Sequence, residues 1–133
     1  MFNKYLDNCD IVVGHNLSFD KRMIMVESIR LKKYQRFTVQ GIKKAEYCTM
    51  RKTVDFCKIE VTNPLGEMYY KFPTLSELHY KLFGTEPKGT HNALSDVLIC
   101  LRCYQKLHGD YDIVDHAMNN YLDLKNLYIE NCT

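Results

Sequence analysis

Long apolar runs are missing from this sequence. No stretch of about 18 apolar residues occurs in the chain, so we expect no membrane-spanning helix. The opening residues, MFNKYLDNCD, show no basic segment followed by an apolar one, so we expect no secretory signal peptide. Internal repeats and low-complexity segments are missing too. The 133 residues, 46% hydrophobic and 26% charged, therefore predict about one globular domain in an intracellular compartment.

The sequence also has no second CxxC motif. The six cysteines include one CxxC, formed by Cys100 and Cys103 inside a helical pattern. A structural zinc site needs four ligands at suitable spacing. Without an export signal, reduced thiols are expected. The pair therefore favours half-buried helix thiols over the alternative, a zinc site.

The net charge of +2 is unevenly distributed along the chain. Eight basic residues and one acidic residue, Glu46, lie between Arg30 and Lys52, whereas five acidic residues and one lysine follow Gly109. A cationic segment suits a polyanion such as nucleic acid, and Lys43 and Lys44 are candidate phosphate contacts. The alternative is that this segment is a solvated loop. The charge pattern taken alone favours this alternative.

Several segments of the sequence predict secondary structure clearly. The apolar run in DIVVGHN predicts a buried strand that ends near Gly14. A helix with apolar residues at helical spacing follows it (Phe19, Met23, Val26, Ile29). The turn signal Asn63–Gly66 predicts a hairpin. A second helix has a capping box at Thr74 and Glu77 and ends at Gly84.

The strongest helical pattern follows, in HNALSDVLICLRCYQKLHG. Its apolar arc includes Leu94, Val97, Leu98 and Leu101, and Gly109 ends it. A weaker amphipathic helix is expected over residues 111–128. Alternation of strands and helices predicts an α/β fold.

Three polar residues are candidates for chemistry. Asp20 falls in the first turn of the helix after the buried strand, and sites in open α/β sheets lie at the carboxyl ends of strands. The alternative is a carboxylate that stabilises the helix dipole. His91 and Asp96 would lie about 140° apart on one helix. They can converge if His91 precedes the helix and Asp96 lies in its second turn; otherwise both are surface residues.

The motifs HNLSFD, at 15–20, and HNALSD, at 91–96, resemble the second and third motifs of the DEDDh 3′–5′ exonucleases. This family includes the proofreading subunit of bacterial replicative DNA polymerases. The segments YCTM and KFPTLSELHYKLFG lie between the two motifs in the order and spacing that the family shows. The resemblance covers roughly residues 1–108.

The resemblance implies an RNase H-like exonuclease fold and a set of site residues. Asp20 and Asp96 match metal-binding aspartates, and His91 matches the histidine that acts as general base. Asn16 matches a residue of the second motif, at the substrate-binding loop. The implied cofactors are two divalent cations, Mg²⁺ or Mn²⁺, and the implied substrate is the 3′ end of single-stranded nucleic acid, with DNA favoured.

The first motif of that family, Asp-x-Glu, is missing: no aspartate here has glutamate two positions later. The chain therefore resembles the rear two-thirds of the domain, incomplete at its N-terminus, with a partial exonuclease domain at 1–108 and an acidic helical segment at 109–133. The absent first strand would leave the edge of strand 11–13 open to self-association or to a complementary N-terminal fragment. We expect an exonuclease inactive as this chain alone; the alternative is a non-catalytic module that binds nucleic acid or a polymerase through residues 30–52.

Overall fold

The structure is a computed structural model that describes residues 2–33, 38–39, 42–115 and 122–133. Helices and short strands alternate along the chain, which confirms a mixed α/β architecture. The chain divides into two compact units, Met1–Cys48 and Thr49–Thr133. The expected acidic segment after residue 108 belongs to the second of these units.

The first unit is built around a parallel strand pair. Its elements are α1 (Phe2–Asn8), β1 (Ile11–Gly14), α2 (Leu17–Arg30), β2 (Thr38–Val39), β3 (Ile42–Lys43) and β4 (Ala45–Cys48). β1 pairs in parallel with β4, in a register that places Ile11 opposite Ala45, and β2 pairs antiparallel with β3. The predicted strand at 11–13 is therefore confirmed, but its expected burial is not, since Ile11 is exposed and Val12 and Val13 are only partly buried. Within the described residues β4 is its one strand neighbour.

The second unit is mostly helical. Its elements are α3 (Thr49–Lys52), α4 (Val54–Cys57), β5 (Glu60–Thr62), β6 (Met68–Tyr70), α5 (Leu75–Phe83), α6 (Ala93–Gly109) and α7 (Leu122–Cys132). The hairpin β5–β6 is antiparallel, as predicted. The weak helix expected over 111–128 is confirmed only from Leu122, since residues 113–115 form a turn and 116–121 lie outside the described residues.

Local chemistry explains the elements that the sequence predicted best. Thr74 accepts a hydrogen bond from the backbone N–H of Glu77, whose side chain accepts from the N–H of Thr74, so the capping box is confirmed. Gly84 ends α5 in the left-handed conformation, with φ of 72°. In the hairpin turn, the side-chain oxygen of Asn63 accepts hydrogen bonds from the backbone N–H groups of Leu65 and Glu67. Each of these arrangements pairs backbone groups at the end of a helix or in a turn, where the helix or strand provides no partner for them.

The apolar faces expected on two helices are only partly buried. Leu17 is the one buried residue of α2, a helix the structure describes throughout, and Ile29 is 71% exposed. On α6, Leu94 and Val97 are exposed, whereas Leu98 and Ile99 are buried. The buried stripe of α6 thus lies to one side of the arc that the sequence suggested.

The cysteines of α6 lie inside the second unit. Cys100 and Cys103 are both buried thiols that form no disulfide, so the expectation of helix thiols is confirmed with more burial than expected. The Sγ of Cys100 lies 3.8 Å from the hydroxyl of Thr49, a buried residue of α3. In the described part of the chain, no helix has the length and apolar character needed to cross a membrane.

A buried ion pair lies in the core of the second unit. Arg102 of α6 donates from Nε and Nη2 to the two carboxylate oxygens of Asp112, both at 2.8 Å. The two side chains are 11% and 4% exposed. A bidentate geometry of this kind offsets much of the cost of removing both charges from water. Around the pair packs an apolar cluster that includes Leu78, Ile99 and Ile113.

Arg102 also binds residues of two other helices. Its Nη1 donates to the hydroxyl of Tyr128 at 3.0 Å and to Nε2 of His79 at 3.2 Å. Its guanidinium lies 3.9 Å from the centre of the Phe83 ring, a cation–π distance. α5, α6 and α7 are therefore joined through one guanidinium group.

His79 is held in its neutral form by this environment. Its Nδ1 donates to the carbonyl of Thr85 at 2.7 Å, so Nε2 is the acceptor for Arg102 and for the hydroxyl of Tyr128, 2.8 Å away. Burial lowers the pKa of His79 below its ordinary 6.5, the nearby charge of Arg102 lowers it further, and the Thr85 bond and the charge of Asp112 oppose them. Protonation would place a second cation against Arg102.

This arrangement predicts a loss of stability in mild acid. Because the folded-state pKa of His79 is lowered, the unfolded chain takes up the proton first. The contribution of His79 is fully present above pH 6.5 and is lost as the pH falls below 6.5 towards the folded-state pKa. Urea unfolding between pH 7.5 and about 5 measures this change. His79→Gln should flatten the decline; His108→Gln, at an exposed histidine of α6, is the control and should leave it unchanged. Equal slopes for all three proteins would contradict the assignment.

Candidate functional site

Asp20 lies where the second motif expects it, in the helix that follows a parallel strand. β1 ends at the buried Gly14, and α2 carries Asp20 in its first turn. The carboxylate lies so close to Gly14 that a β-carbon there would be 3.2 Å from Oδ2 of Asp20. Glycine therefore leaves the space that this carboxylate occupies.

Burial against these neighbours raises the pKa of Asp20, although the residue keeps an exposed surface. The described residues provide no ion pair for this carboxylate. A nearby cation would favour the charged form and lower the pKa again. The position is therefore chemically suited to a hard divalent cation, which prefers carboxylate oxygens.

Asn16 shapes the turn between β1 and α2. It adopts the left-handed conformation, with φ of 65°, and its side chain does not cap the helix. Its backbone carbonyl instead accepts from the N–H of Phe19 at 2.9 Å. Because the side chain of Asn16 takes no part in capping, a role in substrate binding is compatible with the turn and stays a prediction.

His91 and Asp96 meet at the start of α6. His91 precedes the helix, as the motif required, and its backbone N–H points to Oδ1 of Asp96 at 3.4 Å. Asp96 was expected in the second turn of the helix but lies in its first turn, so that expectation is wrong. Asn92 caps α6 by accepting from the N–H of Leu94 at 3.0 Å. The loop and the helix thus bring the histidine and the aspartate together.

His91 adopts a backbone conformation that is unfavourable for its residue type. Its φ is 76°, in the left-handed region, where a side chain with a β-carbon costs roughly 1–2 kcal/mol. Strain of this kind persists only where surrounding structure fixes it, and it is common at active sites. The backbone of His91 is therefore fixed by its neighbours, while the side chain is exposed.

The structure that fixes His91 is the end of α7. The N–H of Lys88 donates to the carbonyl of Cys132 at 2.9 Å, and the hydroxyl of Ser95 donates to the carbonyl of Asn131 at 3.2 Å. Gly89 lies between these bonds, and a β-carbon there would be 2.4 Å from the carbonyl oxygen of Asn131. Sequence reasoning missed this role of α7, for which Gly89 was the one available signal.

Of the two lysines expected at phosphates, Lys44 has a structural role. Its ammonium donates to the carbonyls of Asp7 at 3.1 Å and Cys9 at 2.9 Å, at the end of α1. Nearby, Glu46, the one acidic residue of the basic segment, pairs with Lys21 of α2. The side chain of Lys43 lies outside the described residues. Phosphate binding by both lysines stays a prediction.

The three candidate residues belong to different units. Asp20 is in the first unit, and His91 and Asp96 are in the second. Their convergence into one cleft stays a prediction. Among the described residues there is no group of three or more His, Cys, Asp or Glu side chains arranged to hold a metal ion.

Comparisons of the chain with protein-family models, with curated proteins and with solved structures gave no match. The resemblance to the DEDDh exonucleases therefore rests on the motifs of the sequence and on where the structure places their residues.

The close contact at Gly89 predicts a large effect of one added methyl group. Gly89→Ala should lower the free energy of unfolding by about 2–4 kcal/mol, because it combines left-handed strain with a backbone clash. Gly84→Ala is the matched control: its φ of 72° is nearly the 73° of Gly89, and no atom lies within 4 Å of the added carbon. It should cost about 1 kcal/mol. Urea unfolding of both variants measures the difference; equal losses would show that α7 does not confine this loop.

Proposed function

We propose that this chain is part of a metal-dependent 3′–5′ exonuclease of the DEDDh type, which removes nucleotides from the 3′ end of single-stranded nucleic acid, with DNA favoured. The observation that carries the proposal is the pairing of His91 with Asp96 at the start of α6. Asp20, in the first turn after a parallel strand, supports it.

The two aspartates fit the metal-binding role. Among the described residues Asp20 forms no ion pair, and Asp96 accepts one long hydrogen bond from the backbone of His91, which supports oxygen atoms of both being available to a cation. Asp20 and Asp96 would hold part of a pair of Mg²⁺ or Mn²⁺ ions, which would supply an activated water and stabilisation of the leaving 3′ oxygen. The aspartates would hold and orient the metal ions, so the proton of the attacking water must be accepted by another group.

His91 is the residue that would take this proton. Its imidazole is exposed before α6, and its backbone is tied to Asp96. Histidine is the side chain best suited to accept a proton from an attacking water at neutral pH. The fixed loop would keep the ring within reach of a water near Asp96.

The other two carboxylates of the proposed site lie outside this sequence, which has no Asp-x-Glu. Two structural features support a further segment that completes the first unit. β1 has β4 as its one strand neighbour in the described residues, and parallel sheets are rarely so small. α2 leaves Phe19, Met23 and Val26 about half exposed. A front segment with an Asp-x-Glu strand would extend the sheet beside β1; a polymerase or a second copy of the chain could use the same edge.

A second function remains in competition, namely a non-catalytic module that binds nucleic acid or a polymerase. The absence of Asp-x-Glu from the sequence is the observation that favours it. Retention of Asp20, His91 and Asp96 favours the enzyme, because binding alone needs none of the three.

Release of mononucleotides from a 3′-labelled single strand in Mg²⁺ or Mn²⁺ distinguishes the two functions. The chain alone should not cleave, because half of its carboxylates are missing. Adding a front segment that carries an Asp-x-Glu strand should restore cleavage, since both ions would then be held. Asp96→Asn should abolish the restored activity, and His91→Gln should reduce it by about 100-fold or more.

Asp123→Asn is the matched control for Asp96→Asn, since Asp123 also lies in the first turn of a helix but outside the motifs; it should retain full activity. No cleavage with any front segment, while nucleic acid still binds, would favour the non-catalytic module. Cleavage by the chain alone that depends on Asp96 would show that a carboxylate of this sequence completes the site.

A further inference from the structure

The hairpin of the second unit exposes an aromatic face. The register of β5 and β6 pairs Glu60 with Tyr70 and Thr62 with Met68, so these residues share one side of the ribbon. The exposed fractions are 64% for Met68 and 41% for Tyr70. Phe72, two residues beyond Tyr70, is 51% exposed. Large apolar side chains left in water together mark an interaction surface.

The aromatic face borders an open groove. An open groove of about 280 Å³ is lined by Glu60, Met68, Tyr69 and Tyr70. Both tyrosines are exposed, but Tyr70 belongs to this face, whereas Tyr69 alternates to the other side of the ribbon. A groove of this kind accommodates a flat ring stacked on another ring more readily than a bulky aliphatic side chain.

A cation contacts the face at Phe72, and two further cations are its near neighbours along the chain. The guanidinium of Arg51, in α3, is 5.5 Å from the centre of the Phe72 ring. Lys52 and Lys58 are exposed as well, and among the described residues no carboxylate forms an ion pair with any of the three. Lys71, by contrast, is neutralised by Glu77 at 2.7 Å. Unpaired cations beside exposed rings suit a ligand that combines aromatic rings with negative charge.

We propose that the face formed by Met68, Tyr70 and Phe72 binds single-stranded nucleic acid, with bases stacked on the two rings and phosphates directed towards Arg51 and Lys52. The inference rests on the proposed function and names a surface through which the substrate strand is held. Stacking on rings is tolerant of sequence, as a non-specific exonuclease requires. Strand addition to the hairpin is a weaker reading, because its strands are three residues long and offer short edges.

Glu60 gives the proposal a charge-based test. Its carboxylate is exposed on the same side as Tyr70 and repels a phosphate backbone. Glu60→Gln should therefore tighten binding of an oligonucleotide by about 2-fold or more at low salt. Arg51→Gln should weaken it and reduce its salt dependence.

The absence of tryptophan from the chain allows a direct optical test. Tyr70→Trp places a single tryptophan on the face, and its fluorescence should be quenched when oligo(dT) or oligo(U) is added without metal, because stacked bases quench indole. Tyr5→Trp, at an exposed tyrosine of α1, is the control and should show little quenching. The two oligonucleotides separate DNA from RNA.

Affinity measurements complete the test. Tyr70→Leu should weaken oligonucleotide binding by about 5- to 100-fold, the effect of losing one base–ring stack, whereas Tyr70→Phe should bind as the wild type does. Circular dichroism of each variant verifies folding. The Tyr70→Phe and Glu60→Gln results keep the test valid if Tyr70→Leu unfolds.

Binding that proceeds without quenching, and with equal affinity in all variants, would overturn this surface and leave the proposed exonuclease intact. No binding to either oligonucleotide would overturn the surface and nucleic acid as substrate together. Self-association that Tyr70→Leu abolishes, without any oligonucleotide binding, would assign the face to a second copy of the chain. Binding and quenching without restored cleavage would uphold the surface and reject the exonuclease.

Discussion

The second unit depends on the buried pair of Arg102 and Asp112. Two charges 2.8 Å apart in an apolar core are tolerated only while both are present and their remaining donors are paired. The guanidinium therefore requires Tyr128 and His79 at fixed positions, which places α7 and α5 against α6. The core is specified by this polar requirement as well as by its apolar residues, because the donors of Arg102 reach acceptors on α5, on α7 and at Asp112.

The position of the candidate site follows from that core. Once Tyr128 places α7, the carbonyls of Asn131 and Cys132 meet the loop at Lys88–Ser95 and hold it closely enough that residue 89 must be glycine. The held loop keeps His91 in a strained backbone conformation beside Asp96. The end of α7, within the acidic helical segment predicted at 109–133, thus fixes the loop that carries the proposed general base.

Local signals of the sequence predicted local structure well. The strand at Ile11–Gly14, the capping box of Thr74 and the turn at Asn63 depend on residues a few positions apart, and each is confirmed. Contacts between distant residues could not be predicted: the partner of Arg102 is ten positions away, and that of Lys44 is 35 or more. Exposure of Val97 was missed because helical periodicity shows that a face is apolar but not what covers it. The motifs predicted the local placement of Asp20, His91 and Asp96, whereas their convergence depends on long-range packing.

Binding of Mn²⁺, followed by nuclear magnetic resonance, tests most directly whether both motifs form one site. The paramagnetic ion broadens amide signals within about 15 Å, and weak binding is sufficient to detect. The account predicts that low Mn²⁺ broadens the signals of residues 14–21 and of residues 89–97 together, and that Asp96→Asn or Asp20→Asn removes the broadening from both segments. Broadening of one segment alone, or of both in the presence of these substitutions, would contradict a shared metal site and with it the proposed exonuclease chemistry.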